Sequence, residues 1–248
     1  MNAVPHRPPP SLPWLGAFLC AMLLAAPLLA PAARADEPMA MDEMHHHDHG
    51  GPAMPPGDKN FSEFSHHLAG GFVLLMSAGE MSQALTLSAW QPLRLMLPVS
   101  MVGAGFYLLI WSDADAWLLP DGLIAPLIAG DMEVIQHKLY ALLLLAVGVV
   151  EWFRRRGRLT PDAWRWPLPL FAIAGGALLL MHQHHVLTDM RLIQAHHRVM
   201  SVTAMLAGSA KMVPDLIRRP SVHEQDRWDL VWAILILLIG IELLLYQE

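Results

Sequence analysis

Cysteine is almost absent from this sequence, whose only thiol is Cys20, inside an apolar stretch near the N-terminus. The rest of the chain therefore has neither a disulfide framework nor a cysteine-based metal site. Charged residues are scarce too, at 15%, whereas an average soluble domain has about 25%. Because 54% of the residues are hydrophobic, the composition favours a membrane protein.

Signatures of nucleic-acid binding and of common enzymes are also missing. No basic stripe with interleaved aromatic residues is present, so nucleic acid is not expected as a partner. The Gly-Ala-Gly run at 103–105 lies inside an apolar segment and lacks the strand-to-helix context of a phosphate-binding loop. Without a hydrolase, kinase or nucleotide motif, we predict that the protein is not an enzyme.

The N-terminus has the pattern of a secretory signal peptide over residues 1–35. Arg7 supplies a positive charge, Leu15 to Leu29 form the apolar stretch, and Ala33-Arg34-Ala35 fits a small-x-small cleavage site. Cleavage would leave Asp36 as the first mature residue, and an uncleaved signal anchor is the alternative.

Residues 36–64 lack apolar periodicity and are predicted to be disordered. Imidazole binds several transition metals, whereas thioethers narrow the choice towards Cu(I). The sequence therefore predicts a metal-binding segment, and a low-complexity tail that binds metals only adventitiously is the alternative. Its candidate ligands are Met41, Met44, His45, His46, His47 and His49.

Six apolar segments follow, and each has roughly the 20 residues needed to span a bilayer. They predict an all-α, polytopic membrane domain over 65–248, with six transmembrane helices arranged as three hairpins. The segments cover about 66–88, 93–112, 134–154, 164–182, 192–213 and 228–246.

The basic residues predict the orientation of these helices. Arginines crowd the connection after the third segment, at 154–156 and 158, and recur at 218–219. The connection at 113–133 is acidic instead. We therefore expect the N-terminus and the first end of each odd-numbered helix to lie outside the cytoplasm.

Histidines open three of the six segments, and each is followed fourteen positions later by a charged residue. The pairs are His66 and Glu80, His137 and Glu151, and His197 and Lys211. Histidine is scarce in membrane spans and is the commonest metal ligand, so the pattern predicts ligands at one membrane face. The candidates are His66, His67, His137, His182, His184, His185, His196 and His197.

We prefer His67, His137, His185 and His197 as the ligands, although adjacent histidines point about 100° apart and either member of a pair fits. Histidines that only rest among lipid headgroups are the alternative. Three further residues are candidates to orient or supplement the ligands: Glu242, Met200 and Met181.

Three interpretations are open for the charged residues that follow the histidines: an ion pair, a proton exit, or side chains that extend to the membrane interface. For Glu151 and Lys211 we prefer the last interpretation. Small residues such as Gly70 and Gly208 predict close helix–helix contacts.

This layout resembles bacterial copper-resistance inner-membrane proteins of the CopD type. The shared features are a cleavable signal, a Met/His-rich segment outside the membrane, at Met39 to Met54, and histidines at the outer ends of helices. The resemblance covers architecture and composition, and no site residue is carried over from it. It implies copper binding on the periplasmic side of the inner membrane, periplasmic copper carriers as partners, and delivery of copper across the bilayer.

Copper handling is thus the favoured function, with the tail capturing the ion and the histidines binding it. One alternative is a b-type cytochrome in which two histidines, such as His137 and His197, ligate one haem. The inner half of the helices has no histidine, so this alternative allows a single haem. A membrane assembly protein that binds neither copper nor haem is the other alternative.

Overall fold

The computed structural model describes residues 56–85, 91–111, 128, 132–180, 190–217 and 222–247, and within them the secondary structure is helical, with no strand. The all-α prediction is confirmed for this part of the chain. The predicted signal peptide and residues 36–55 lie outside it. Seven α-helices are present there: α1 (Pro56–Ala84), α2 (Gln91–Arg94), α3 (Met96–Ile110), α4 (Met132–Arg155), α5 (Pro167–Leu180), α6 (Met190–Leu216) and α7 (Val222–Leu244).

Helix α1 begins at Pro56, about ten residues before the predicted start of the first apolar segment. The start is favourable, because proline fits the first turn of a helix. Residues 56–64 therefore extend the helix, although the sequence predicted them as part of the disordered tail. The reason is that this stretch has too few apolar residues to be recognised from hydropathy.

The six longer helices form a closed ring in which chain neighbours are also spatial neighbours. Helix α1 packs against α3, α3 against α4, α4 against α5, α5 against α6, and α6 against α7. The most extensive contact joins α7 back to α1, so the two ends of the described chain close the ring. Contact between α4 and α5, the predicted middle hairpin, is slight.

Glycines allow the closest approaches between these helices. A side chain at Gly208 would meet the Pro169 carbonyl oxygen at 2.5 Å, and one at Gly70 would meet that of Gly240 at 3.0 Å. Backbones this close need residues without a side chain. Gly208 thus fixes the α5–α6 contact and Gly70 the α1–α7 contact, as the small-residue pattern predicts.

Two stretches in the described residues are long and apolar enough to cross a membrane: Val134–Arg155, and Asp162–Leu180, which joins a 3₁₀ turn to α5. A shorter apolar helix covers Met96–Ile110. These features are compatible with a membrane location. The arrangement as six transmembrane spans stays a prediction.

Candidate metal-binding site

One end of the ring gathers four of the predicted histidines around the last aromatic residue of the chain. We call this the histidine end; it comprises His66, His67, His196, His197 and Tyr246. The Tyr246 ring is fully buried and stacks on the His66 ring with centroids 3.8 Å apart. Its centroid lies 5.6 Å from that of His196 and 6.2 Å from that of His197. The His66 and His197 centroids are 6.5 Å apart.

Hydrogen bonds set the roles of the ring nitrogens in the first histidine pair. His66 Nδ1 donates to the carbonyl oxygen of Ser62, one turn earlier in α1, at 2.9 Å. In the neutral ring this leaves the lone pair on Nε2, the form in which imidazole binds a metal. His67 Nε2 donates instead to the Tyr246 carbonyl oxygen at 3.1 Å, and His67 is exposed. The two neighbours thus have different surroundings.

Glu242 on α7 contacts His196 on α6. The distance between the His196 Nδ1 and Glu242 Oε1 atoms is 2.7 Å, within the range of a charge-assisted hydrogen bond. A carboxylate that accepts from one ring nitrogen fixes the tautomer and makes the other nitrogen a better ligand. Glu242 therefore stands where the predicted orienting role requires it, although that role itself stays a prediction.

A cavity of about 320 Å³ opens between the helices beneath the histidine end. Its wall includes His66, His137 and His197, which come from α1, α4 and α6. Met200 lies one turn after His197 in the same wall, and Trp232 is among the residues at the far side. The remaining lining is almost entirely apolar. The cavity therefore combines imidazole groups with a space of the size that small ligands occupy.

Helix α4 is anchored beside its histidine. The ammonium of Lys138, the residue after His137, is buried and donates to the Leu108 carbonyl oxygen at the end of α3, at 3.3 Å. A buried lysine needs such a partner, because an ammonium group is costly to bury alone. This contact fixes the start of α4 relative to α3 and thereby holds His137 in the cavity wall.

The opposite end of the ring holds an ion-pair network of six residues: Glu80, Glu151, Arg154, Arg155, Lys211 and Asp229. Glu80 is its centre. The carboxylate lies 2.7 Å from Arg155 and 3.2 Å from Lys211, and it accepts a hydrogen bond from the Trp232 indole at 3.0 Å. Lys211 also lies 2.9 Å from Asp229. Because three acids face three bases, the network is neutral.

Glu151 completes the network from within α4. It accepts from Arg154 at 2.7 Å and from Arg155 at 3.1 Å, and its side chain is fully buried. Arg155 also donates to the Arg94 carbonyl oxygen at 2.9 Å. The interpretation that Glu151 and Lys211 extend to the membrane interface is therefore wrong: the Glu151 carboxylate is buried and paired with two arginines of its own helix, and Lys211 is paired with Glu80 and Asp229.

The fourteen-residue spacing connects the two ends. Helices α1 and α6 run in the same direction, since His66 lies near His197 at one end and Glu80 contacts Lys211 at the other. Fourteen residues correspond to about 21 Å of helix. The histidines and the charged residues of the pattern thus lie at two levels of one bundle, one near each end.

Several predicted site residues lie outside the described part of the chain. They are the tail residues Met41, Met44, His45, His46, His47 and His49, and Met181, His182, His184 and His185 after α5. Among the residues that are described, no group of three or more His, Cys, Asp or Glu side chains is placed closely enough to hold a metal ion. Of the preferred ligands, His137 and His197 line the cavity; His66 lines it in place of His67.

Sequence reasoning missed Tyr246 at the histidine end and Arg155 in the ion-pair network. An isolated tyrosine at a chain end gives no signal, and Arg155 was one of a run of basic residues that indicated only orientation. Comparisons with protein-family models, with curated proteins and with solved structures found no match.

Proposed function

We propose that the chain is a six-span protein of the bacterial inner membrane that binds copper in the cavity beneath its histidine end and takes part in copper homeostasis without catalysing a reaction. The Met/His-rich segment before α1 captures the ion on the periplasmic side, where it also meets periplasmic copper carriers. The ion is cargo that is bound and passed on, by transport or by exchange with a carrier.

One observation carries this proposal: three helices each contribute a histidine to the wall of a single cavity. His66, His137 and His197 are distant in sequence, so local pattern alone does not bring them together. Imidazole is a good ligand for copper, and the nearby thioether of Met200 favours the monovalent ion.

The distance between the His66 and His197 rings is close to the distance expected for two imidazoles that bind one metal ion. A metal–nitrogen bond to histidine is about 2 Å long, so two imidazoles on one ion have ring centroids roughly 5–6 Å apart. The observed separation of the His66 and His197 centroids is 6.5 Å. His137 lines the same cavity as these two histidines.

The distribution of charge agrees with the predicted orientation. The ion-pair network lies at the end of the bundle where the arginine-rich connection begins, and its three acids are paired with bases. The histidine end lies opposite, at the end that the basic residues predict to be periplasmic. Copper captured by the tail therefore meets the histidines first.

To measure copper binding by the helices alone, the candidate ligands of the Met/His-rich tail must be replaced, because we expect the tail to bind metal by itself. We define the tail variant as the full-length chain with His45, His46, His47 and His49 replaced by alanine and Met39, Met41, Met44 and Met54 by leucine. Equilibrium dialysis of this variant against Cu(I) is expected to give at least one bound ion. Alanine at His66, His137 and His197 together should remove an ion, whereas unchanged stoichiometry would contradict the histidine site.

A single-haem b-type cytochrome is the second candidate, and the lining of the cavity favours it. Aromatic side chains of Tyr140 and Phe171 line an apolar space between histidines on different helices, as a porphyrin ring requires. His137 and His197 would provide the two axial nitrogens. This candidate predicts a Soret band in the purified protein, together with its loss in either single alanine variant.

A further inference from the structure

The cavity beneath the histidine end has three methionine side chains in its wall. They are Met76 on α1, Met101 on α3 and Met200 on α6. Each is at least nine-tenths buried, with exposures of 9%, 2% and 4%. Methionine commonly fills gaps in a protein core, but these three border open space that the surrounding side chains leave unfilled.

Contacts between α1 and α3 place Met76 and Met101 at nearly the same level. The two helices are antiparallel: Gly79 on α1 faces Met96 on α3, and Phe72 on α1 faces Gly103 on α3. Counted from the Gly79–Met96 contact towards the histidine end, Met76 is three residues away and Met101 is five. At 1.5 Å per residue their levels differ by about 3 Å, so the two methionines line the cavity at about the same depth.

Met200 lies higher, between this pair and the histidines. Glu80 and Lys211 are in contact, which aligns α1 with α6. Met76 is four residues from Glu80 and Met200 is eleven from Lys211, so Met200 is about 10 Å nearer the histidine end. The wall therefore presents the His66 and His197 imidazoles at the level of the histidine end, one thioether below them, and two thioethers further towards the ion-pair network.

Thioethers select monovalent copper over harder cations, and Cu(I) accepts low coordination numbers. We propose that Met76 and Met101 form a second, deeper site for Cu(I), reached from the histidine end past Met200. This inference rests on the proposed function, because it takes copper to enter through the histidines. The deeper pair would hold the ion in an apolar space above the ion-pair network, where no imidazole contributes.

Silver(I) is a suitable probe because it shares the ligand preference of Cu(I) and does not change oxidation state. Four full-length chains are compared by equilibrium dialysis: the tail variant; the tail variant with Met76→Leu and Met101→Leu; the tail variant with Met81→Leu and Met96→Leu; and the tail variant with alanine at His66, His137 and His197. Met81 and Met96 are matched controls on the same two helices, each five residues from a cavity methionine and outside the cavity wall. Leucine has nearly the volume of methionine, so packing is conserved.

The tail variant and its Met81/Met96 control are expected to bind two silver ions, and the Met76/Met101 variant one. Silver X-ray absorption should show that the ion lost has sulfur ligands. Equal binding by the tail variant and its Met76/Met101 derivative, with unchanged sulfur coordination, would overturn the deeper site. Loss of one ion in the histidine variant supports the proposed function separately. If only the methionine variant loses an ion, the deeper site stands and the histidine site fails.

Discussion

The Lys211 ammonium lies 3.2 Å from the Glu80 carboxylate, and each residue follows a histidine by fourteen positions. Those histidines, His197 and His66, have ring centroids 6.5 Å apart at the other end of the bundle. Helices α1 and α6 are therefore aligned, so that the two histidines meet at one end of the bundle and the two charged residues meet at the other. Disturbing the ion pairs is expected to affect stability, and disturbing the histidines is expected to affect copper binding.

Replacing Glu80 with leucine should destabilise the protein strongly. Arg155 and Lys211 would keep Glu151 and Asp229 as partners, but the neutral network would carry an excess positive charge in a buried position. Breaking a buried ion pair by removing one partner costs about 3–5 kcal/mol. We expect a loss of this order in the free energy of unfolding, measured in detergent by denaturant titration with circular dichroism.

The matched control is Asp162→Leu, which breaks an exposed ion pair. The side chains of Asp162 and Arg165 are 79% and 47% exposed, and the pair spans 3.5 Å. Exposed pairs contribute about 0–1 kcal/mol, so this variant should unfold almost like the parent chain. Equal effects of the two substitutions would show that Glu80 is not the centre of a buried network.

His66 and His67 should differ in their effect on copper binding. His66 lines the cavity and donates its Nδ1 proton to the Ser62 carbonyl oxygen, whereas His67 is exposed and donates Nε2 to the Tyr246 carbonyl oxygen. In the tail variant, His66→Ala should weaken Cu(I) binding by more than the roughly 10–100-fold cost of a supporting group. His67→Ala should leave the dissociation constant nearly unchanged. A competition titration with a Cu(I) chelator measures both, and the reverse order would assign the ligand to His67.

Glu242→Gln should weaken copper binding without unfolding the protein. The substitution removes the negative charge of the Glu242 side chain, which accepts a hydrogen bond from His196 Nδ1 at 2.7 Å. Loss of a carboxylate that orients a ligand lowers metal affinity by about 10–100-fold, so an effect of this size would add His196 as a ligand to the three histidines of the cavity wall. Asp229→Asn, which changes an acid at the opposite end of the bundle, is the control and should leave copper affinity unchanged. If Glu242→Gln binds copper as tightly as the tail variant, the carboxylate has no part in the site.

Alanine should have opposite effects at two glycines. At Gly208 the new methyl group would meet the Pro169 carbonyl oxygen at 2.5 Å, so α5 and α6 must separate. Such crowding costs roughly 1–3 kcal/mol. At Gly71 nothing lies within 4 Å, and alanine should stabilise the helix by up to about 1 kcal/mol. The free energies of unfolding of Gly208→Ala and Gly71→Ala test this prediction. A loss of stability in Gly71→Ala would contradict the placement of α1.

Hydropathy predicted the positions of the longer helices well, because long apolar runs are a strong local signal. The third segment, expected at 134–154, is Met132–Arg155, and the last, expected at 228–246, is Val222–Leu244. The closure of the ring by α1 and α7 was not predictable, because it joins residues more than 150 positions apart. Pattern within a single helix carries no information about such a partner.

The common level of His66 and His197 was predictable from the sequence, whereas which member of the pair His66 and His67 lines the cavity was not. Adjacent residues point about 100° apart on a helix, so a choice between His66 and His67 depends on how α1 is rotated about its own axis. The contact with α7 fixes that rotation, and the sequence does not reveal it. Arg155 was hidden for a similar reason. Three consecutive arginines indicate orientation, but only packing shows that one of them turns inward to Glu80.

The most direct test is copper analysis together with a visible spectrum of the detergent-purified tail variant from cells grown with copper. A copper site in the cavity beneath the histidine end predicts close to one copper or more per chain, no Soret band, and loss of copper when His66, His137 and His197 are replaced by alanine. A Soret band with little copper would identify a cytochrome instead. A colourless protein without copper would contradict the copper site and leave metal binding to the tail alone.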